Sequence, residues 1–114
     1  MDTGINGENY IDVDDALKRV GGNMGLYKRL LGRFIEGNHF EALDSAIQKG
    51  DFEEAERMAH TLKGVGANLS LIKLTAVSTE LEQLIKNSQD YTACLANLKQ
   101  AYDVTLEKIA EITG

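Results

Sequence analysis

His60 is the residue of this chain best placed to do chemistry on another molecule. Advancing about 100° per residue from Phe52, the apolar set Ala55, Met58, Ala59, Leu62, Val65, Gly66 and Leu69 gathers around one direction, and His60 points roughly 160° away from it. The imidazole therefore faces water. Residues three and four positions apart share a helix face, so Glu56 and Arg57 flank His60 on one side and Lys63 and Gly64 on the other. Helical side chains lean toward the N-terminus, which carries Lys63 back over His60, while Gly64 and Ala67 leave bare space beside the ring. A glycine inside a helix is unfavourable by roughly 1 kcal/mol relative to alanine, and this stretch has two, Gly64 and Gly66. Gly66 falls on the apolar stripe, where a closely packed neighbouring helix explains it. Gly64 falls on the outer face. An exposed imidazole, a cation one turn away and a cleared approach suit reaction with an anionic group brought by a partner. The wheel alone leaves an ordinary surface histidine equally open.

The elements that position this stretch are expected to be helices. Proline is absent from the 114 residues, glycine sits mostly at segment ends, and no stretch alternates as a strand would. A chain of this length suits one domain with its own core. The net charge of −6 sets nucleic acid aside as a partner, because phosphate-backbone binders carry a basic face. No apolar run approaches the roughly 18 residues needed to span a bilayer, and the start Met1-Asp2-Thr3-Gly4 lacks the features of a secretory signal. A soluble, cytoplasmic, monomeric domain with no membrane contact is expected. The single cysteine, Cys94, falls on an apolar helical face and reads as a buried structural thiol.

In chain order, residues 1–11 are polar and aperiodic and read as a flexible lead-in or linker, with the domain proper over 12–114. Asp12 suits the N-cap of a short helix carrying Val13, Ala16, Leu17 and Val20, ended by Gly21-Gly22. Asn23 can cap a longer helix that runs to about Lys49 with a kink at Gly37, two shorter helices being the alternative. Gly50 stops it, Asp51 caps the histidine helix, and Glu54 completes a capping-box-like pair. Ser70 is expected to cap a helix to about Lys86, and Asp90 a last helix through Ile112. Short loops between long helices give an all-α fold, an antiparallel up-down four-helix bundle with a short extra N-terminal helix.

Other chemistry fits poorly. His39, among Glu36, Asn38 and Glu41, reads as a solvated surface or kink residue. The two histidines lie on different expected helices with no metal-ligand spacing, so no metal site is expected. Hydrolysis needs a concave pocket with an oriented base, which a convex helix face does not offer. No glycine-rich phosphate loop is present. A phosphoryl group would have to arrive on a partner.

The segment Ala59-His60-Thr61-Leu62-Lys63-Gly64, followed by Ala67-Asn68-Leu69, resembles the signature of the histidine-containing phosphotransfer (HPt) domain of bacterial multistep phosphorelays. Leu-Tyr-x-x-Leu-Leu-x-x-Phe at Leu26 to Phe34, Gly50-Asp51 and Leu81-Glu82 also look like that family, so the resemblance runs from about Ile11 to Ile112. It implies a four-helix bundle whose His60 takes a phosphoryl group from a receiver-domain aspartate and hands it to another, with Nε2 as the nucleophile. By position it implies that Lys63 steadies the phosphoryl group and that Gly64 lets the receiver approach. Glu82 matches a position where the family often has Gln or Glu near the histidine. Glu56, Arg57, Gly64, Ala67 and Glu82 together form the expected partner-binding set. One departure stands out: after Asn-Leu, where the family usually has glycine, this chain has Ser70.

The implied partners are response-regulator receiver domains and a hybrid sensor histidine kinase. The implied cofactor is Mg²⁺ on the receiver, none being bound by this chain. The resemblance makes the chain a phosphocarrier without kinase activity of its own. Two alternatives stay open: a phosphotransfer domain of a larger histidine kinase, hybrid or chemotaxis-type, and an inert helical scaffold.

Overall fold

The computed structural model describes residues 10–114. The described residues form six helices, α1 (Val13–Arg19), α2 (Met24–Glu36), α3 (His39–Gln48), α4 (Phe52–Asn68), α5 (Ile72–Lys86) and α6 (Thr92–Thr113). Residues 1–9, most of the expected lead-in, lie outside the described residues. At its end Ile11 is buried in the core, so the domain begins slightly earlier than its polar composition implies.

Local chemistry sets most boundaries. The Asp12, Asn23 and Asp51 carboxylate or amide oxygens accept from the N–H groups of Asp15, Leu26 and Glu54, each satisfying a donor that a helix start would otherwise leave unpaired. The capping box at Asp51 is only half formed. The Asp51 N–H donates to Ala46 O, and the Glu54 carboxylate turns to Arg57, which competes better for it than a backbone amide already bonded elsewhere.

Of the two readings for Asn23 to Lys49, one kinked helix or two shorter ones, the structure has the second. Asn38 adopts a left-handed conformation with φ 49°, which asparagine tolerates better than most residues, and the chain changes direction there. The break lets Phe34 and Phe40 both face Tyr102, at ring-centroid distances of 5.7 and 6.0 Å. His39 is correspondingly less solvated than its polar neighbours imply. Its ring stacks on Phe34 at 5.2 Å, and partial burial holds its pKa below the ordinary imidazole value.

The helices pack into a bundle in which α4 contacts both α3 and α5, α6 contacts α5 and α2, and α1 rests on α2. Tyr27, Leu31, Leu43, Leu62, Leu74, Leu81, Leu98 and Ile109 fill the interior. Burial raises the Tyr27 pKa to about 12, and its hydroxyl donates to Leu69 O at 2.8 Å across the core. Cys94 is buried, as its helical face implies, and desolvation pushes its thiol up to about 11. Among the described residues no helix is long and apolar enough to cross a membrane.

Gly66 lies under α5. A Cβ there would come within 2.6 Å of Thr75 Oγ1, whose hydroxyl donates to Leu71 O at 2.7 Å. Gly66→Ala must rotate Thr75 and break that bond, so despite alanine's better helix propensity we expect a net loss of about 1–2 kcal/mol in chemical denaturation. An unchanged midpoint would show that the α4–α5 contact yields without strain.

Candidate functional site

Close approach of α5 at Gly66 brings Glu82 alongside the exposed face of α4. Glu82 is itself buried, and its two oxygens are divided between two neighbours. Oε2 lies 2.9 Å from His60 Nδ1, and Oε1 lies 2.8 Å from Lys63 Nζ. Burial raises the Glu82 pKa, but the hydrogen bonds from Lys63 and His60 and the positive charge of Lys63 outweigh it and hold the carboxyl below its ordinary range. Glu82 is therefore an ionised acceptor at neutral pH.

An ionised carboxylate can only accept, so the hydrogen bond to it requires the proton on His60 Nδ1. In the neutral ring Nε2 then carries the lone pair. The His60 side chain is 66 % exposed against 11 % for Glu82, so the ring is held at its inner nitrogen and open at its outer one. Lys63, at 31 %, sits between these extremes with its ammonium on the other oxygen of the same carboxylate.

The surroundings divide the expected partner-binding set. Glu56 and Arg57 line an open hollow of about 390 Å³ together with Glu53, His60 and Glu82. Arg57 also pairs with Glu54 one turn back. Gly64 and Ala67 are exposed, and nothing lies within 4 Å of where a Gly64 Cβ would stand. Glu82 differs from the other four. It faces His60 and Lys63 from the packed side of α5 and lends the hollow only a small part of its surface. A sequence signal for this exists: Glu82 shares the buried face of α5 with Ser78 and Ile85, where a carboxylate needs partners.

Ser70 is not the cap of α5. That position belongs to Leu71, and Ser70 instead closes α4 in the left-handed region at φ 58°. The Leu71 N–H donates to Gly66 O at 2.8 Å and the Ser70 N–H to Ala67 O at 3.2 Å, the bond pair of a Schellman turn. A serine can cap a helix only with an extended backbone, and this turn demands the opposite sign of φ. Asp15 reaches this turn as well, a contact with no sequence signal: its Oδ2 accepts from Ser70 Oγ at 2.8 Å across 55 positions.

Among the described residues, no three His, Cys, Asp or Glu side chains come together to hold a metal ion. The arrangement has one open ring nitrogen, a fixed carboxylate behind it and a cation held on that same carboxylate. Such a set can take up a phosphoryl group and release it, with the remaining catalytic groups supplied from outside.

A family model described as Hpt domain matches residues 30–111, a span that holds His60, Lys63 and Glu82. No curated protein and no solved structure matches the chain.

Proposed function

The chain belongs to the Hpt domain family, whose members are phosphocarriers in two-component signalling and interact with receiver domains, and we propose that His60 shuttles a phosphoryl group between the aspartates of two receivers. The observation that carries this reading is the Glu82 bridge. By accepting from Nδ1 it leaves Nε2 as the nucleophile, pointing away from the bundle.

In the proposed step Nε2 attacks the phosphorus of a receiver aspartyl phosphate. The Nε2–P bond forms, the P–O bond breaks, and the aspartate carboxylate leaves. The ring becomes a phosphoimidazolium whose Nδ1–H remains on Glu82, and the carboxylate offsets its positive charge. Transfer to a second receiver reverses these bond changes. Mg²⁺ and the acidic cluster that binds it belong to the receiver, and Lys63 moves from Glu82 toward the phosphoryl oxygens as they arrive. We take α2 and α3 as two halves of one arm, so that four antiparallel arms support the site. We take the protein to act as a cytoplasmic monomer without kinase activity of its own, with Glu56, Arg57, Gly64, Ala67 and the exposed edge of Glu82 meeting the receiver.

Incubation with a phosphorylated receiver and Mg²⁺ is expected to transfer an acid-labile, base-stable phosphate to the chain. Lys63→Ala is expected to slow that transfer by about tenfold or more, the effect of losing one charge-assisted contact to the migrating group. Equal rates would remove Lys63 from the reaction. Transfer from no receiver in a broad panel would overturn the reading.

Gly64 separates docking from folding. Gly64→Ala is expected to stabilise the fold by roughly 1 kcal/mol, since the position is helical, exposed and unobstructed. Gly64→Leu is expected to remain folded while transfer falls about 10²-fold, because bulk one turn beyond His60 displaces the incoming phosphorus. Destabilisation by both substitutions would make the glycine structural instead.

A further inference from the structure

The turn between α4 and α5 uses a residue ill suited to it. Gly21, Gly22 and Gly50 take positive φ elsewhere at no steric disadvantage, whereas Ser70 holds φ 58° with a Cβ. Ser88 does the same in the next turn, but it is exposed, while Ser70 is only 6 % exposed. Every polar atom of Ser70 is engaged. Its N–H donates to Ala67 O, its carbonyl accepts from the Asp12 N–H at 3.0 Å, and its hydroxyl donates to Asp15 Oδ2 at 2.8 Å. Two of these three partners belong to α1 and its cap.

The helix that supplies them is short and docks through buried Ala16, with Val13, Leu17 and Val20 packed on the core. α1 spans seven residues, too few to be stable alone, and its packing is against α2. The hydrogen bond from Ser70, first, and that from Arg19, second, keep the Asp15 carboxyl below its ordinary range, so it is an ionised acceptor at neutral pH. The tie adds to the two turn hydrogen bonds that hold Ser70 left-handed, and it joins the short helix to the turn. Just past the turn, α5 begins the return along α4 that places Thr75 over Gly66 and Glu82 beside His60.

We infer that α1 is a clip on the α4–α5 turn, joined to it through Ser70, so that attachment of α1 and rigidity of the turn are coupled. The coupling is a property of the fold and stands apart from the phosphocarrier reading. With the clip attached, the register that sets Glu82 against His60 is held. With it detached, Ser70 can leave the left-handed region and the turn loosens.

Amide hydrogen exchange on the full chain tests this, following Leu71, whose N–H closes the turn on Gly66, and the amides of α1, each normalised to the core amides of Leu62 and Leu81. Asp15→Ala is expected to lower Leu71 protection about fivefold to tenfold, the effect of losing one charge-assisted hydrogen bond. Ser70→Gly alone is expected to keep Leu71 protected, because glycine holds the turn without help, and to lower α1 protection about fivefold. In the double variant Leu71 protection is expected to return to the wild-type level while α1 stays weakly protected. Unchanged Leu71 protection in Asp15→Ala would overturn the clip, as would failure of Ser70→Gly to restore it.

Discussion

His60→Gln is expected to abolish phosphoryl transfer from a phosphorylated receiver while leaving the helical circular dichroism and the denaturation midpoint in place. The substitution is chosen for what it keeps. A glutamine side-chain amide can still donate to Glu82, so the bridge to Lys63 need not be left with an unpaired buried carboxylate, and only the nucleophilic lone pair is lost. Because the His60 side chain is 66 % exposed, the stability change should stay within about 0.5 kcal/mol. Label that survives would place the acceptor elsewhere, and a parallel fall in stability would spoil the comparison and call for His60→Ala.

The second large effect concerns Glu82. Glu82→Ala removes the acceptor that fixes the imidazole tautomer and the carboxylate that offsets the phosphoimidazolium charge, and it frees Lys63 from its resting position. Loss of a group that orients an imidazole typically lowers activity about 10- to 100-fold, and that range is expected here in the transfer rate. Glu82→Gln should fall between wild type and Glu82→Ala. Its carbonyl still accepts from Nδ1, but its amide cannot pair with the Lys63 ammonium. Equal rates for all three proteins would show that His60 needs no orientation from α5. The same carboxylate predicts a pH dependence of folding. Its pKa is lower in the folded state, so its contribution is full above the unfolded value of about 4.5 and is lost as the pH falls through the folded value. Acid denaturation of Glu82→Gln should accordingly be shallower than that of wild type below about pH 4.5.

The histidine helix was legible because its determinants are local. The 3.6-residue period, Gly50 and Asp51 at its start, and the outward direction of His60 all lie within one stretch, and α4 runs from Phe52 to Asn68 much as those signals imply. The break between α2 and α3 was not legible to the same degree. Gly37-Asn38 marks a weak point, but what makes it two helices is the left-handed Asn38 together with the packing of Phe34 and Phe40 on Tyr102, a residue far along the chain. At Asp51 the capping box failed for a related reason. The pattern identifies a competent acceptor in Glu54, but Arg57 and Ala46 compete for the same groups, and only the folded geometry decides between them.

Ser70 shows the limit most clearly. Its residue type argues for a helix cap, and its position after Leu69 argues for a turn that favours glycine. The turn prevails because two Schellman hydrogen bonds and the tie to Asp15 act together against the conformational preference of one side chain.

From the amino-acid sequence by itself follow an all-helical domain, the extents of most helices, and an exposed histidine with a lysine and a bare glycine one turn on. These depend on periodicity and capping, whose range is a few residues. Only the tertiary structure decides that Glu82 divides its oxygens between His60 and Lys63, and that Asp15 reaches across 55 positions to Ser70. Both depend on how closely and in what register one helix lies on another, which is set by packing throughout the bundle rather than by any one segment.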